Sequence, residues 1–152
     1  MKSKSPELDR LDWRILEALQ RNARITSTEL GKRIGLSQPA VTSRIKRLEE
    51  TGVIDGYGAR LNHKLLGRPI RALLRLRTSH AQIPACLEAF ETIPQIIEAM
   101  RVTGEDCFVV RVVAGEMEQL EAVIDALAKL GPVTTSIILA SYPQKVLQES
   151  TQ

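Results

Sequence analysis

The sequence predicts an α+β protein in which a helical N-terminal domain precedes a domain of strands and helices. Up to residue 60 the apolar residues recur at helical spacing, whereas from Ile70 onward strand and helix periods alternate. The charge divides in the same way. Residues 1–60 carry 12 Lys and Arg against 8 Asp and Glu, a net of +4, and the others carry 9 against 10, a net of −1. We expect a basic domain at 1–60, a hinge at 61–69 and a second domain at 70–152.

The first helix is predicted to begin after Asp9, whose side chain suits an N-cap, with Asp12 in the first turn. Apolar residues at helical spacing, including Ile15 and Leu19, should face the core. Trp13 lies off this stripe. We expect its large ring to cover a seam between domains or subunits.

The next stretch predicts two helices joined by a tight turn. Thr26 followed by Glu29 forms a capping-box pattern, Gly35 suits the left-handed end of a helix, and Ser37 suits the cap of the next. Pro39 falls in the first turn of this second helix, where its missing N–H costs nothing. A short helix, a glycine turn and a longer helix are the elements of a helix-turn-helix, here in a winged-helix-like domain.

The second of these helices has two unlike faces. Val41, Ile45 and Leu48 lie on one side and should face inward. The other side is small and hydroxyl-bearing at its start and cationic further along, which suits contacts to base edges and phosphates. The alternative is an ordinary solvated face. The predicted DNA-binding residues are Ser37, Gln38, Pro39, Thr42, Ser43, Arg44, Lys46 and Arg47.

The later elements predict a ferredoxin-like sandwich. Residues 53–61 have the apolar and glycine pattern of a short strand, either a wing or a linker strand. Strands are then predicted at 70–78, 96–103, 107–114 and 133–140, and helices at 84–90 and 116–130. This βαββαβ order places the helices on one face of a four-stranded antiparallel sheet. The other face should be covered by self-association into a homodimer.

Composition excludes several other classes. Cys86 and Cys107 lie far apart, and neither His63 nor His80 has a carboxylate or cysteine at ligand spacing, so no metal site, disulfide or cofactor is expected. The aromatic share of 3% disfavours a base-stacking surface for single strands. We expect no membrane span or signal peptide, and a cytoplasmic location.

The sequence resembles the leucine-responsive regulatory protein/AsnC (Lrp/AsnC) family of transcription regulators. Head-domain matches are Leu8-Asp9-x-x-Asp12-x-x-Ile15-Leu16, Ala23-Arg24, Glu29-Leu30, Gly35-Leu36-Ser37, Val41-x-x-Arg44-Ile45-Lys46-Arg47-Leu48-Glu49, Gly52-Val53-Ile54 and Gly58-Ala59-Arg60-Leu61. Val102-Thr103-Gly104 matches the effector-sensing domain. The resemblance implies a non-enzymatic, sequence-specific regulator that binds double-stranded DNA as dimers, which assemble into tetramers or octamers.

The resemblance also implies an amino-acid effector bound at the loop between the second and third sensor strands. By position, this loop comprises Thr103, Gly104, Glu105, Asp106 and Cys107. The family often has Gly-x-x-Asp here, which would place the acid at 107, one residue after Asp106. Hydroxyls of the last strand are further candidates for the pocket: Thr134, Thr135 and Ser136.

Two alternatives to this regulator stay open. An architectural DNA-binding protein without a ligand would use the same head and assembly. An enzyme similar to sirohaem decarboxylases would need histidines over a tetrapyrrole, and the chain has only His63 and His80.

Overall fold

Three helices form the N-terminal part of the computed structural model, which describes residues 6–150. They are α1 (Arg10–Arg21), α2 (Ser27–Ile34) and α3 (Gln38–Glu50). The ends of the predicted domains, residues 1–5 and 151–152, lie outside the described residues.

Local caps set the ends of these helices. The carboxylate of Asp9 accepts from the backbone N–H of Asp12, whose own carboxylate accepts from the N–H of Asp9, so this capping box is reciprocal. The Thr26 hydroxyl accepts from the N–H of Glu29 at 3.1 Å, but the Glu29 carboxylate pairs with Arg33 instead of closing the box. Gly35 ends α2 at φ 77°, in the left-handed region that the sequence predicts for it.

A small apolar core joins the three helices. Ile15 of α1, Leu30 of α2 and both Val41 and Leu48 of α3 are fully or almost fully buried. The predicted inward face of α3 is therefore confirmed. Ile45 packs against the same core while staying half-buried.

The strand predicted for residues 53–61 is wrong. After α3 the chain makes a bend and then runs without regular structure to residue 62. Two contacts hold its start against α3: the Ile54 N–H donates to the Leu48 carbonyl, and the Tyr57 hydroxyl donates to the Glu49 carboxylate at 2.8 Å. A strand needs a neighbouring strand, and residues 6–60 contain none.

The C-terminal part is a four-stranded antiparallel sheet with helices packed on one face. Its strands are β1 (Ile70–Leu76), β2 (Ile96–Arg101), β3 (Phe108–Ala114) and β4 (Val133–Ile137), in the order β2-β3-β1-β4. The helices are α4 (Ile83–Thr92), which a short 3₁₀ turn precedes, and α5 (Met117–Ala128). The predicted βαββαβ order is confirmed, with elements that end within a few residues of their predicted limits.

The core of this part lies between the sheet and its helices. Alternate strand residues such as Leu74, Leu76, Val110 and Val112 are completely buried and pack against α4 and α5. Phe108 adds an edge-to-face contact with Phe90 of α4, at a centroid distance of 5.1 Å.

The chain divides into two compact units, and the C-terminal stretch belongs to the first of them. Among the described residues, one unit comprises 6–60 together with 143–150, and the other comprises Leu61–Tyr142. This assignment differs from the expected second domain of 70–152. The Gln20 side-chain amide donates to the Leu147 carbonyl and accepts from its N–H, both at 2.9 Å, so it satisfies both backbone groups of this residue.

An open groove of about 940 Å³ lies in the first unit beside this contact. Trp13 and Leu16 of α1, Tyr57 and Leu147 are among its lining residues. Trp13 thus borders a seam within one unit. Within residues 6–150 no helix has the length and apolar character to cross a membrane.

Candidate DNA-binding surface and effector loop

The outer face of α3 begins with a short polar surface. The Ser37 hydroxyl caps the helix by accepting from the Ala40 N–H. The Gln38 amide donates to the Thr42 hydroxyl at 3.3 Å, and that hydroxyl donates to the Gln38 carbonyl at 3.0 Å. Exposed side chains of this face are Ser37, Gln38, Pro39, Thr42, Ser43, Lys46 and Arg47.

The two arginines of α3 are held by acidic residues around the start of α1. Arg44 donates to the carboxylates of Asp9 at 2.7 Å and Asp12 at 2.8 Å, and its side chain is only 27% exposed. Arg47 donates to the other oxygen of Asp12 but keeps half of its surface in solvent. Lys46 is different, with 74% exposure and only a loose pair with Glu50 at 3.7 Å. Arg44 is therefore the predicted DNA-binding residue that is least available to a ligand.

These contacts also shift two ionisation equilibria. Hydrogen bonds from the Asp12 backbone N–H and from the Arg44 guanidinium lower the pKa of Asp9. Hydrogen bonds to the Asp9 and Asp12 carboxylates raise the pKa of Arg44.

A third arginine stabilises the turn between α2 and α3. Arg14 of α1 donates to the carbonyls of Arg33 at 2.9 Å and Ile34 at 3.4 Å, in the last turn of α2. These carbonyls lack helical partners, and a cation at this end suits the helix dipole. No local signal in the sequence indicates this role, because the partners lie about 20 residues away.

The predicted effector loop is tied to the end of β1. The Cys107 N–H donates to the Leu76 carbonyl at 2.9 Å, and the Cys107 thiol donates to the Thr78 carbonyl. Glu105 pairs with Arg77 at 2.7 Å, and Asp106 lies 3.9 Å from Arg75. The loop thus presents carboxylates with guanidinium groups beside them.

The turn of this loop depends on glycine. Gly104 has φ 110°, and Thr103 and Glu105 on either side are exposed. A Cβ at Gly104 would meet no atom within 4 Å, so strain of the backbone rather than crowding opposes a side chain there.

The three hydroxyl residues of β4 do not share one face of the sheet. Thr134 lies opposite Arg75 and Ser136 opposite Leu73, on the face without helices. Thr135 lies opposite the buried Leu74 and therefore faces the helices. The expectation that all three line one pocket is wrong, because successive side chains of a strand point to opposite faces.

The cysteines and histidines form no recognisable metal site. Cys86 is free and buried, and Cys107 is free and half-buried. Within residues 6–150, no group of three or more His, Cys, Asp or Glu side chains could hold a metal ion.

Two family models together match most of the chain. A winged helix-turn-helix DNA-binding model matches residues 8–55, which contain α1 to α3. The Lrp/AsnC ligand binding domain model matches residues 71–146, which contain the sheet and its helices. The chain belongs to the Lrp/AsnC family of transcriptional regulators.

Relatives of this Lrp/AsnC protein agree along most of their length. An uncharacterized HTH-type transcriptional regulator, YezC of Bacillus subtilis, is 37% identical and aligns over 88% of this chain and 95% of its own. The leucine-responsive regulatory protein of Rhizobium meliloti is 40% identical over 76% of each chain. The solved structure of Bacillus subtilis LrpC is 28% identical and superposes with a TM-score of 0.86, covering 92% of this chain and all of that one.

Proposed function

We propose that α3 is the element with which this Lrp/AsnC regulator reads double-stranded DNA. The observation that carries the proposal is the exposed start of α3, where Gln38, Thr42 and Ser43 lie above the cation of Lys46. Small hydroxyl and amide groups can approach base edges in the major groove, whereas lysine contacts phosphates. The +4 charge of residues 1–60 supports the same surface.

Salt dependence of DNA binding tests this assignment. Lys46→Ala should lower the slope of log K against log salt by about one, because one phosphate contact is lost. Lys129→Ala is a matched control, since Lys129 is exposed at the end of α5, in the other unit. Fluorescence anisotropy with a duplex selected from random sequences measures both. Equal slopes for Lys46→Ala and the parent would place the docking face elsewhere.

We further propose that an amino acid or a related small molecule binds at the loop 103–107 and modulates assembly or DNA binding. The ligand binding domain match and the leucine-responsive relative support this effector class. The loop offers carboxylates for an ammonium group and the guanidinium groups of Arg75 and Arg77 for a carboxylate. Both charges of a free amino acid therefore find a counterpart.

Calorimetric titration with the twenty amino acids tests the effector. Gly104→Glu should abolish the binding heat, since it adds a carboxylate and strains a backbone at φ 110°. Gly67→Glu is the control, because Gly67 also has a positive φ, 72°, and open space. A normal response of Gly104→Glu would move the ligand site away from this loop.

One observation favours the architectural alternative without a ligand. Glu105 and Asp106 already have arginine partners, so an effector must compete with Arg77 and Arg75 for them. No heat and no change of assembly with any amino acid would favour this alternative. The enzyme alternative is less favoured, because the relatives are named as transcriptional regulators.

We propose that a second copy covers the helix-free face of the sheet, giving a homodimer that assembles further into tetramers or octamers. On this face Val109 lies between Arg75 and the 37%-exposed Met100, and Leu73 lies opposite Arg111. Two heads on a two-fold axis reach DNA half-sites about 34 Å apart. Sedimentation equilibrium tests the assembly, and a monomer at all concentrations would contradict it.

A further inference from the structure

The helical part of residues 6–60, here called the head, buries a carboxylate that the proposed DNA-binding function does not use. Asp12 is 0% exposed and is the only charged side chain classed as buried among residues 6–150. A carboxylate loses much hydration free energy on burial unless charged partners and hydrogen bonds replace the water. Asp12 has three such partners, the guanidinium groups of Arg44 and Arg47 and the backbone N–H of Asp9.

The two arginines are three residues apart on α3, so they leave the helix on the same side, almost one turn apart. Arg44 reaches Oδ1 of Asp12 and Arg47 reaches Oδ2. Because Arg44 and Arg47 bind the Asp12 carboxylate from two positions along α3, their hydrogen bonds oppose rotation of α3 about its own axis. Arg44 also reaches Asp9 at 2.7 Å, which adds a third attachment near the start of α1.

The hydrogen bonds to Asp12 add a directional restraint on the rotation of α3 to the restraint from its apolar packing. The apolar contacts of Val41 and Leu48 are non-directional, whereas hydrogen bonds to a carboxylate have a defined direction. Rotation of α3 would carry the exposed side chains of Thr42, Ser43 and Lys46 around the helix axis, away from the DNA atoms that they are proposed to contact.

We propose that Asp12 is a positioning residue of the DNA-binding head, which sets the rotation of α3 through Arg44 and Arg47. Arg44 then orients α3 instead of contacting a phosphate. Lys46 contacts a phosphate and thereby releases counterions from the DNA. This inference rests on the proposed function of α3 as the reading helix.

Two DNA measurements separate positioning from phosphate contact. Arg44→Met should leave the salt slope unchanged. It should lower the ratio of affinities for a selected duplex and a scrambled duplex by about tenfold, the effect of about one misplaced base contact. Lys46→Ala should do the reverse, lowering the slope by about one and weakening both duplexes equally. Arg44→Lys keeps the charge but replaces the planar Nη1 group, which donates to both Asp9 and Asp12, with a freely rotating ammonium group, so it should restore little of the ratio.

Unfolding of the full chain tests the network without DNA. Asp12→Asn and Arg44→Met should each destabilise the head, and the double variant should lose clearly less than the sum of the two. Fluorescence of Trp13, the chain's one tryptophan, reports the head during urea unfolding. Asp12→Asn removes the buried negative charge and turns one of its two acceptor oxygens into an amide donor that faces an arginine. If Asp12→Asn therefore fails to fold, Arg44→Met is the variant to use for DNA.

The outcomes distinguish failure of this inference from failure of the proposed function. Additive losses in the unfolding cycle would overturn the inference. A slope lowered by about one in Arg44→Met, with an unchanged affinity ratio, would also overturn it and make Arg44 a phosphate contact. If the parent protein prefers no selected duplex over the scrambled one, the proposed function itself fails.

Discussion

Gly31 offers a sharp test of how the turn between α2 and α3 is built. This glycine is buried in α2, and its carbonyl accepts from the N–H of Leu36 at 3.0 Å across the turn. A Cβ built on it would lie 2.4 Å from the Leu36 carbonyl oxygen and 3.5 Å from a methyl group of Val41. Gly31→Ala therefore forces the turn, and with it α3, away from α2.

The size of the effect follows from this geometry. Ordinary contact begins at 3.4 Å, so the Leu36 oxygen must retreat by about 1.0 Å, the difference between 3.4 and 2.4 Å. The atom belongs to the backbone and cannot swing aside, and overpacking of this kind costs about 1–3 kcal/mol. Alanine in a helix interior recovers about 1 kcal/mol relative to glycine. A retreat of about 1.0 Å by a backbone atom places the overpacking cost in the upper part of that range, about 2–3 kcal/mol, so the head should lose about 1–2 kcal/mol of stability.

Urea unfolding followed by Trp13 fluorescence measures this loss, because Trp13 belongs to the same unit as α2 and α3. Gly56→Ala is the control. A Cβ there would meet no atom within 4 Å and its φ is not positive, so its stability should change by less than about 0.5 kcal/mol. A Gly31→Ala head as stable as the parent would refute the close approach between Gly31 and Leu36.

Three further predictions concern titration and packing. Folding lowers the pKa of Asp9 below its usual value of 3.8, so the ionised carboxylate stabilises the head fully above pH 3.8, and this stabilisation is lost as the pH falls through the lower pKa of the folded state. Asp9→Asn keeps a cap but not the charge, so it should lose less stability than the parent on acidification, measured by Trp13 fluorescence. Desolvation, and then the Glu49 carboxylate, raise the pKa of Tyr57 to about 12, so Glu49→Gln should lower the midpoint of that ring's NMR titration; an unchanged midpoint would contradict the contact. Phe108→Ala removes a buried ring that packs on Phe90 and should cost about 3–5 kcal/mol by circular dichroism, and a loss under 1 kcal/mol would contradict this packing.

Much of the fold was predictable because its signals are local. The run of β-branched residues in β3 predicts a buried strand, and Gly35 predicts the end of α2, since both depend on a few adjacent residues. The segment 53–61 has the composition of a strand as well. It forms none, because strand formation also requires a partner that composition does not supply.

The candidate sites were less predictable than the fold. Arg44 lies on the flank of the predicted outer face of α3, and its sequence neighbours do not reveal that it turns toward Asp9 and Asp12. The hydroxyls of Thr134 and Thr135 look equivalent in the sequence. Neighbouring residues of a strand point to opposite faces, but which of these two faces the helices follows from the register of β4 against β1, which a single sequence leaves open.

The amino-acid sequence by itself determined the two-part α+β plan, the helix-turn-helix and the family, because periodicity, caps and motifs act over a few residues. Tertiary structure alone decided which charges meet. Asp12 lies 32 residues from Arg44 and 35 from Arg47, and it becomes a shared buried acceptor only when α1 packs beside α3. Electrostatic energy depends on distance and burial in space, and the sequence records neither.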